Sequence, residues 1–283
     1  MGLLINIGLT TFSDHPSLIG EDRKVKLSEY SAFFPVVELD TPFYAIPRRE
    51  VIENWQHQVP DNFQFILKAN RLMTLHDQYD KDEITDESRQ QAFQDYLKAV
   101  FPLRKANQLK TILFQFPPSF KRSLESIDYL RNIRVILPGV SISVEFRNST
   151  WYTPEIKDDV SGYLSELHMT QVIVDEPHAT NMGVPFSPVV TDKNLAMLRL
   201  HGRNVKGWTS NQNWRKQRTL YRYSSQELQS FADTVKTLNK EANEVVIIFN
   251  NNSGGDAADN ALELKKMLGI NFNGLAPMQL DLF

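Results

Sequence analysis

The 283-residue chain contains no cysteine. That absence excludes disulfides, thiolate metal sites and cysteine nucleophiles, and it suits a reducing compartment. Long apolar runs are missing as well, and no stretch approaches the length of a membrane span. The opening MGLLINIGLTTF lacks a basic n-region and soon reaches Asp14 and His15, which argues against a signal peptide. Gly2 has no Ser or Thr at the position that myristoylation requires. Together these absences predict a cytoplasmic protein with no membrane partner. A dominant charge is lacking too: the formal net charge is −3. Any surface for nucleic acid must therefore be local. No repeat, linker or low-complexity tract divides the chain, and its length suits one large barrel or two small domains.

What is present is a recurring unit. Short β-rich runs begin at Ile5, Val36, Phe63, Thr111, Ser141, Gln171, Ala196 and Glu244, each followed by a polar turn. Helical patterns cover Lys26–Phe34, Arg49–Val59, Ser123–Leu137 and Asp256–Leu268. A long helix from about Asp86 is expected to break at Pro102. Thr153 with Pro154 reads as a helix start, and Ser224 with Glu227 as a capping box. The Pro-rich EPHATNMGVPFSPVVTDKN leaves one helix short or missing. This alternation predicts an α/β fold, a single (β/α)8 TIM-type barrel over residues 1–270 with a tail at 271–283. An open doubly wound sheet is the alternative.

Strand periodicity assigns faces. Large apolar residues, including Val37/Leu39, Phe65/Leu67, Val144/Phe146, Val172/Val174 and Ile247/Phe249, are predicted to lie under the helices. The alternate face gathers polar residues toward the strand ends, as a barrel mouth would.

The blocks VVELDTPFY, FQFILKA, LFQFPPSF, SVEFRNSTWY, LRLHG and IIFNN resemble the domain-of-unknown-function 72 family, the YecE-like proteins. The resemblance runs from Ile5 to about Leu268 and implies a TIM-type barrel without naming a reaction. IGLTTFSDH departs from the family's glycine-serine-glycine-tryptophan pattern, and ELDTPFY stands where a Glu-Ile-Asn-Ser stretch is more usual.

At the mouth, Glu145 and Asp175 are candidate acid/base or metal groups, with Glu38 and His201 as their partners. Lys68, Arg147 and Arg199 would hold an anion, Gln115 and Asn250 would contact ligand, and Tyr44 and Trp151 would form an aromatic rim. A plug of Glu–Arg and Asp–Lys pairs is the structural alternative. Glu38, Glu145, Asp175 and His201 are also ligand types suited to a divalent metal, although no spaced metal motif is present. Gly254 and Gly255 precede the last helix, where barrels commonly seat phosphate; a turn capped by Asp256 is the competing reading.

Two segments point toward nucleic acid. Residues Arg199–Arg222 contain seven Lys or Arg and no acid, and Arg203, Lys206, Trp208, Trp214 and Arg215 make this loop a candidate single-strand or flipped-base surface. A solvated loop with packed tryptophans explains it equally. The terminal QLDLF resembles the pentapeptide that docks bacterial proteins on the DNA sliding clamp, with Gln279, Leu280, Leu282 and Phe283 as anchors; packing on the barrel floor is the rival. The leading expectation is an enzyme acting on a phosphate-containing substrate, a phosphodiesterase or nuclease tethered to the clamp. A glycoside hydrolase using mouth carboxylates beside Trp151 and Tyr44, and a non-catalytic binding module, are the alternatives.

Overall fold

Eight parallel strands close into a barrel in sequence order. They are β1 (Ile5–Thr10), β2 (Val36–Leu39), β3 (Gln64–Lys68), β4 (Leu109–Gln115), β5 (Ile142–Glu145), β6 (Thr170–Asp175), β7 (Ala196–Leu200) and β8 (Val245–Phe249). The computed structural model describes residues 4–77, 84–179, 182–209 and 217–277. Closure is made by β8 pairing with β1, with Ile5 opposite Val245 and Leu9 opposite Phe249.

Around the barrel lie α1 (Leu27–Tyr30), α2 (Thr41–Tyr44), α3 (Arg49–Gln56), α4 (Asp86–Lys105), α5 (Leu124–Ile136), α6 (Lys157–Glu166), α7 (Val205–Thr209), α8 (Ser225–Leu238) and α9 (Asp256–Leu268). The Ser224/Glu227 capping box forms as the sequence predicts. Pro102 does not break α4: it lies in the last turn, where its ring gives up one intrahelical N–H bond with only three helical residues still to follow, and Ala106 N–H still bonds its carbonyl. Thr153 and Pro154 do not open α6. They form a turn ahead of it, and the cap position falls to Ile156. Asp256 is the first residue of α9, while Gly255, at φ 82°, is its cap. Among the described residues between β6 and β7 there is no helix.

Two apolar layers follow from the strand period. Leu9, Val37, Phe65, Phe114, Val144, Leu198 and Phe249 pack outward under the helices. Val36, Ile66, Leu113, Met197, Val246 and Ile248 fill the interior. Strand six reverses the expected assignment: Val172 and Val174 lie inside the barrel and Ile173 lies outside. Every residue of TQVIVD is buried, so polarity does not alternate along it and the period has no phase to read.

Beyond α9 the chain returns across the barrel floor. Phe272 packs against Phe34, Asn62 donates to the Asn273 carbonyl at 3.2 Å, and Ala276 N–H reaches the Ser31 carbonyl at 3.1 Å. The expected clamp anchors Gln279, Leu280, Leu282 and Phe283 lie outside the described residues.

Gly8 sits where β1 meets β2, and a Cβ there would fall 2.2 Å from the Val36 carbonyl oxygen. Gly8→Ala should therefore destabilise the barrel by at least about 1–3 kcal/mol, the usual cost of overpacking. Urea unfolding of the variant checks this, and an unchanged midpoint would contradict the packing described.

Candidate functional site

Arg199 and His201 stand two residues apart at the end of β7 and so share the inward face. The Arg199 guanidinium donates through Nε and Nη2 to Glu38 on β2, at 2.8 and 2.5 Å. Its Nη1 donates across the barrel to Glu145 on β5. The other Glu145 oxygen accepts from Gln115 at 2.6 Å and Arg147 at 2.9 Å, and lies 3.2 Å from His201 Nε2. Asn250 donates to His201 Nδ1 at 2.7 Å, which leaves the Nε2 proton facing Glu145. Arg147 also pairs with Glu176 at 2.8 Å. The mouth floor is thus a continuous charged network, with Glu38, Glu145 and Arg199 buried in it.

Burial alone would raise the Glu145 carboxyl, but Arg199, His201 and Arg147 hold it well below the ordinary carboxylate range. For Glu38 burial outweighs the opposing pull of Arg199 and pushes the carboxyl up. Burial pushes the His201 imidazole down to about 4 and keeps the ring neutral at pH 7. Glu176 is pushed up to about 7 by burial, against the pull of Arg147.

Above this floor opens a cavity of about 370 Å³. Lys68, Gln115, Arg147, Arg199, His201, Asn250 and Tyr44 line it, as the sequence predicts for the mouth, joined by Trp208. Lys68 lies over the Phe43 ring at 4.6 Å. Arg147 and Arg218 both lie over the Trp208 indole, at 4.9 and 4.7 Å. Their cation–π contacts commit this ring to the cavity wall rather than to an open stacking surface.

Several expected site residues lie elsewhere. Asp175 does not face the mouth: the reversed phase of β6 turns it outward, where it binds Arg203 at 2.6 Å and the Tyr223 hydroxyl at 2.7 Å. Trp151 is not a rim residue. It stacks on Phe146 at 4.1 Å and donates its indole N–H to the Phe120 carbonyl, outside the barrel wall. Gly254 and Gly255 do not line the cavity. The basic loop is partly neutralised from afar, because Arg203 also pairs with Glu227, and Arg222 pairs with Asp256. Lys206 is exposed, and Trp214 and Arg215 lie outside the described residues. Among the described residues no group of three or more His, Asp or Glu side chains is arranged to hold a metal ion. The Glu38 and Glu145 oxygens that could serve are occupied by guanidinium and amide donors.

Sequence reasoning missed Asp40, His76, Glu176, Arg218, Thr219 and Asn252. All except Glu176 line the cavity, and Glu176 holds Arg147 from behind. Shifting strand six by one residue exchanges Asp175 for Glu176, so a correct phase there would have found it. His76 is pushed down to about 4 by burial and by the nearby Lys68.

These features define a (β/α)8 barrel whose C-terminal mouth is built on a buried guanidinium–carboxylate network. The chain belongs to the family described as "Protein of unknown function DUF72", whose model matches residues 6–281. It is 38% identical over 285 residues to the UPF0759 protein YunF of Bacillus subtilis (strain 168), covering 99% of this chain and 100% of YunF. Over 65 residues, 23% of each chain, it is 38% identical to the UPF0759 protein YecE of Escherichia coli (strain K12). Among solved structures, a DUF72 family protein of Enterococcus faecalis V583 superposes with a TM-score of 0.91 at 39% identity, covering 98% of this chain and 100% of that one. A second, from Thermotoga maritima MSB8, superposes with a TM-score of 0.79 at 29% identity, covering 94% and 100%.

The raised Glu176 pKa makes a signed prediction. Between its ordinary value of 4.5 and about 7 the folded state binds the proton more tightly than the unfolded state, so stability contributed by the protonated carboxyl is lost as pH rises through 7. Glu176→Gln removes that loss. The melting temperature of the variant relative to the parent should rise between pH 5 and pH 8, by the equivalent of about 3 kcal/mol at most. A difference independent of pH would show that Glu176 does not titrate in this window.

Proposed function

We propose that the mouth cavity binds a phosphate-bearing ligand and is the place where the protein acts on it. One observation carries this reading: Lys68, Arg147, Arg199 and Arg218 line the cavity, with Asp40 the one carboxylate among its described lining residues. Guanidinium forks and an ammonium, set beside the amides of Gln115, Asn250 and Asn252, match the charge and acceptor density of a phosphate. The position supports it as well, since barrels of this class place their chemistry at the C-terminal ends of the strands.

Hydrolysis of a phosphate ester, including one in nucleic acid, is the reaction class we infer. Glu145 serves such a site as a structural anion, because Arg199, Arg147 and Gln115 already occupy its oxygens. The glycosidase alternative needs two carboxyls flanking the sugar; Asp40 alone of the mouth carboxylates lines the cavity. Docking of Gln279–Phe283 on a sliding clamp completes the proposal. Ala276 is bonded to the floor, which supports a tether leaving from the face opposite the mouth.

Calorimetric titration with inorganic pyrophosphate should give saturable binding that Lys68→Met or Arg218→Met weakens about tenfold, the scale of one charge-assisted hydrogen bond. Absence of saturation would overturn the phosphate reading. Removal of Gln279–Phe283 should abolish binding to a bacterial sliding clamp while leaving pyrophosphate affinity unchanged. Clamp binding that survives the truncation would overturn the tether.

A further inference from the structure

Asp40 sits where the end of β2 meets the start of α2, the position from which Asp usually caps a helix. It does not do so here. Its side chain makes no capping hydrogen bond, and Pro42 in the first turn of α2 has no N–H to offer. The nearest cation, Lys68 Nζ, stands 3.9 Å from Oδ1, beyond hydrogen-bond reach. Asp40 Oδ1 is shielded and has no hydrogen-bond partner, while the side chain as a whole is 32% exposed, so the carboxylate meets the cavity through Oδ2. Glu38 and Glu145 contrast with it, each accepting hydrogen bonds from the Arg199 guanidinium, and Glu176 has the Arg147 guanidinium 2.8 Å from Oε2. Of the four mouth carboxylates, Asp40 alone both lines the cavity and has an acceptor left over.

A carboxylate that meets the cavity without a protein donor has acceptor capacity to spare, and a neighbouring anion would be repelled by it. A phosphate with nothing more to offer is held by the cationic wall against that repulsion. A ligand that also brings a hydroxyl donor to Asp40 Oδ2 replaces that repulsion with a hydrogen bond at the same carboxylate. We infer that Asp40 receives a hydroxyl of the ligand while the cationic wall holds its phosphate, so that the cavity selects hydroxylated phosphate esters, the class of sugar phosphates and nucleotides. This inference rests on the phosphate reading of the same cavity and adds the second contact point. Lys68, between the Phe43 ring and Asp40, stands at the junction of the two subsites.

The test compares three probes on the full-length protein by calorimetry: ribose 5-phosphate, ethyl phosphate and ribose. Ribose 5-phosphate should bind the parent roughly tenfold more tightly than ethyl phosphate, the value of one hydrogen bond to a charged acceptor. Asp40→Ala should erase most of that preference by weakening ribose 5-phosphate while leaving ethyl phosphate equal or tighter. Asp40→Asn, which keeps an acceptor oxygen, should retain more of the preference than Asp40→Ala. Because the Asp40 side chain makes no capping hydrogen bond, the melting temperature of both variants should stay within about 2 °C of the parent.

An equal preference in parent and Asp40→Ala would overturn the assignment, as would a large drop in melting temperature in both variants, which would mark a structural role. If ribose binds in an Asp40-dependent way and neither phosphate ester does, the hydroxyl contact stands and the phosphate reading falls. If none of the three probes binds, both fall.

Discussion

The mouth depends on one buried cation. Arg199 is 1% exposed and is shared by two buried carboxylates that approach it from opposite parts of the barrel, Glu38 from β2 and Glu145 from β5. Removing three charges from water costs several kcal/mol each unless geometry and hydrogen bonding compensate. The barrel supplies that geometry through register, with Val174 beside Arg199, Leu200 beside Phe249, and Gln115 beside Glu145. The network therefore needs a closed barrel, because an open sheet would separate β2 from β7 and strand the guanidinium. The mouth and the fold share the same constraint here: removing one partner leaves an uncompensated buried charge, whichever strand supplied it.

From that centre the site grows outward in layers. Glu145 fixes Gln115, Arg147 and His201 together, and Asn250 then fixes the His201 ring. Arg147 is paired with both Glu145 and Glu176, and its guanidinium lies over the Trp208 ring. Trp208 belongs to α7, a five-residue helix in a loop, and its contact with Arg147 brings that loop over the cavity. Tyr223 ties the base of the same loop to the barrel: its hydroxyl donates to Asp175 and accepts from Gly202 N–H. Asp175 is thus a structural residue whose work is to seat loop seven.

Much of this was legible in the sequence because strand period and charge agree. Large apolar residues mark the helix side of β2, β3, β4, β7 and β8, and the residues between them then point inward without ambiguity. The period also placed Glu38, Lys68, Gln115, Glu145, Arg199 and His201 at one end. It failed at β6, where both faces are buried and one residue of phase exchanges Asp175 for Glu176. Trp151 was misplaced for a different reason. It follows β5 in a turn, and nothing local decides whether such a turn carries its aromatic inward or back onto Phe146. Pairing was the least legible layer. The sequence shows acids and bases at strand ends, but which acid meets which base is set by strand order around the barrel.

The same pairing explains why the mouth is neither a plug nor an open set of reactive carboxylates. Among the described groups, Lys68, Arg147, Arg199 and Arg218 face Asp40, Glu38, Glu145 and Glu176, four cations against four acids. The sum is near balance, but the distribution is uneven. Three of the acids lie beneath or behind the cavity wall, with their charge spent on Arg199 and Arg147, while all four cations reach the lining. Glu176, with its pKa near 7, is partly protonated at neutral pH and shifts the balance further toward positive charge. A cavity of this kind presents positive potential to its contents although the mouth as a whole is close to neutral, because burial separates the acids from the space that a ligand can occupy.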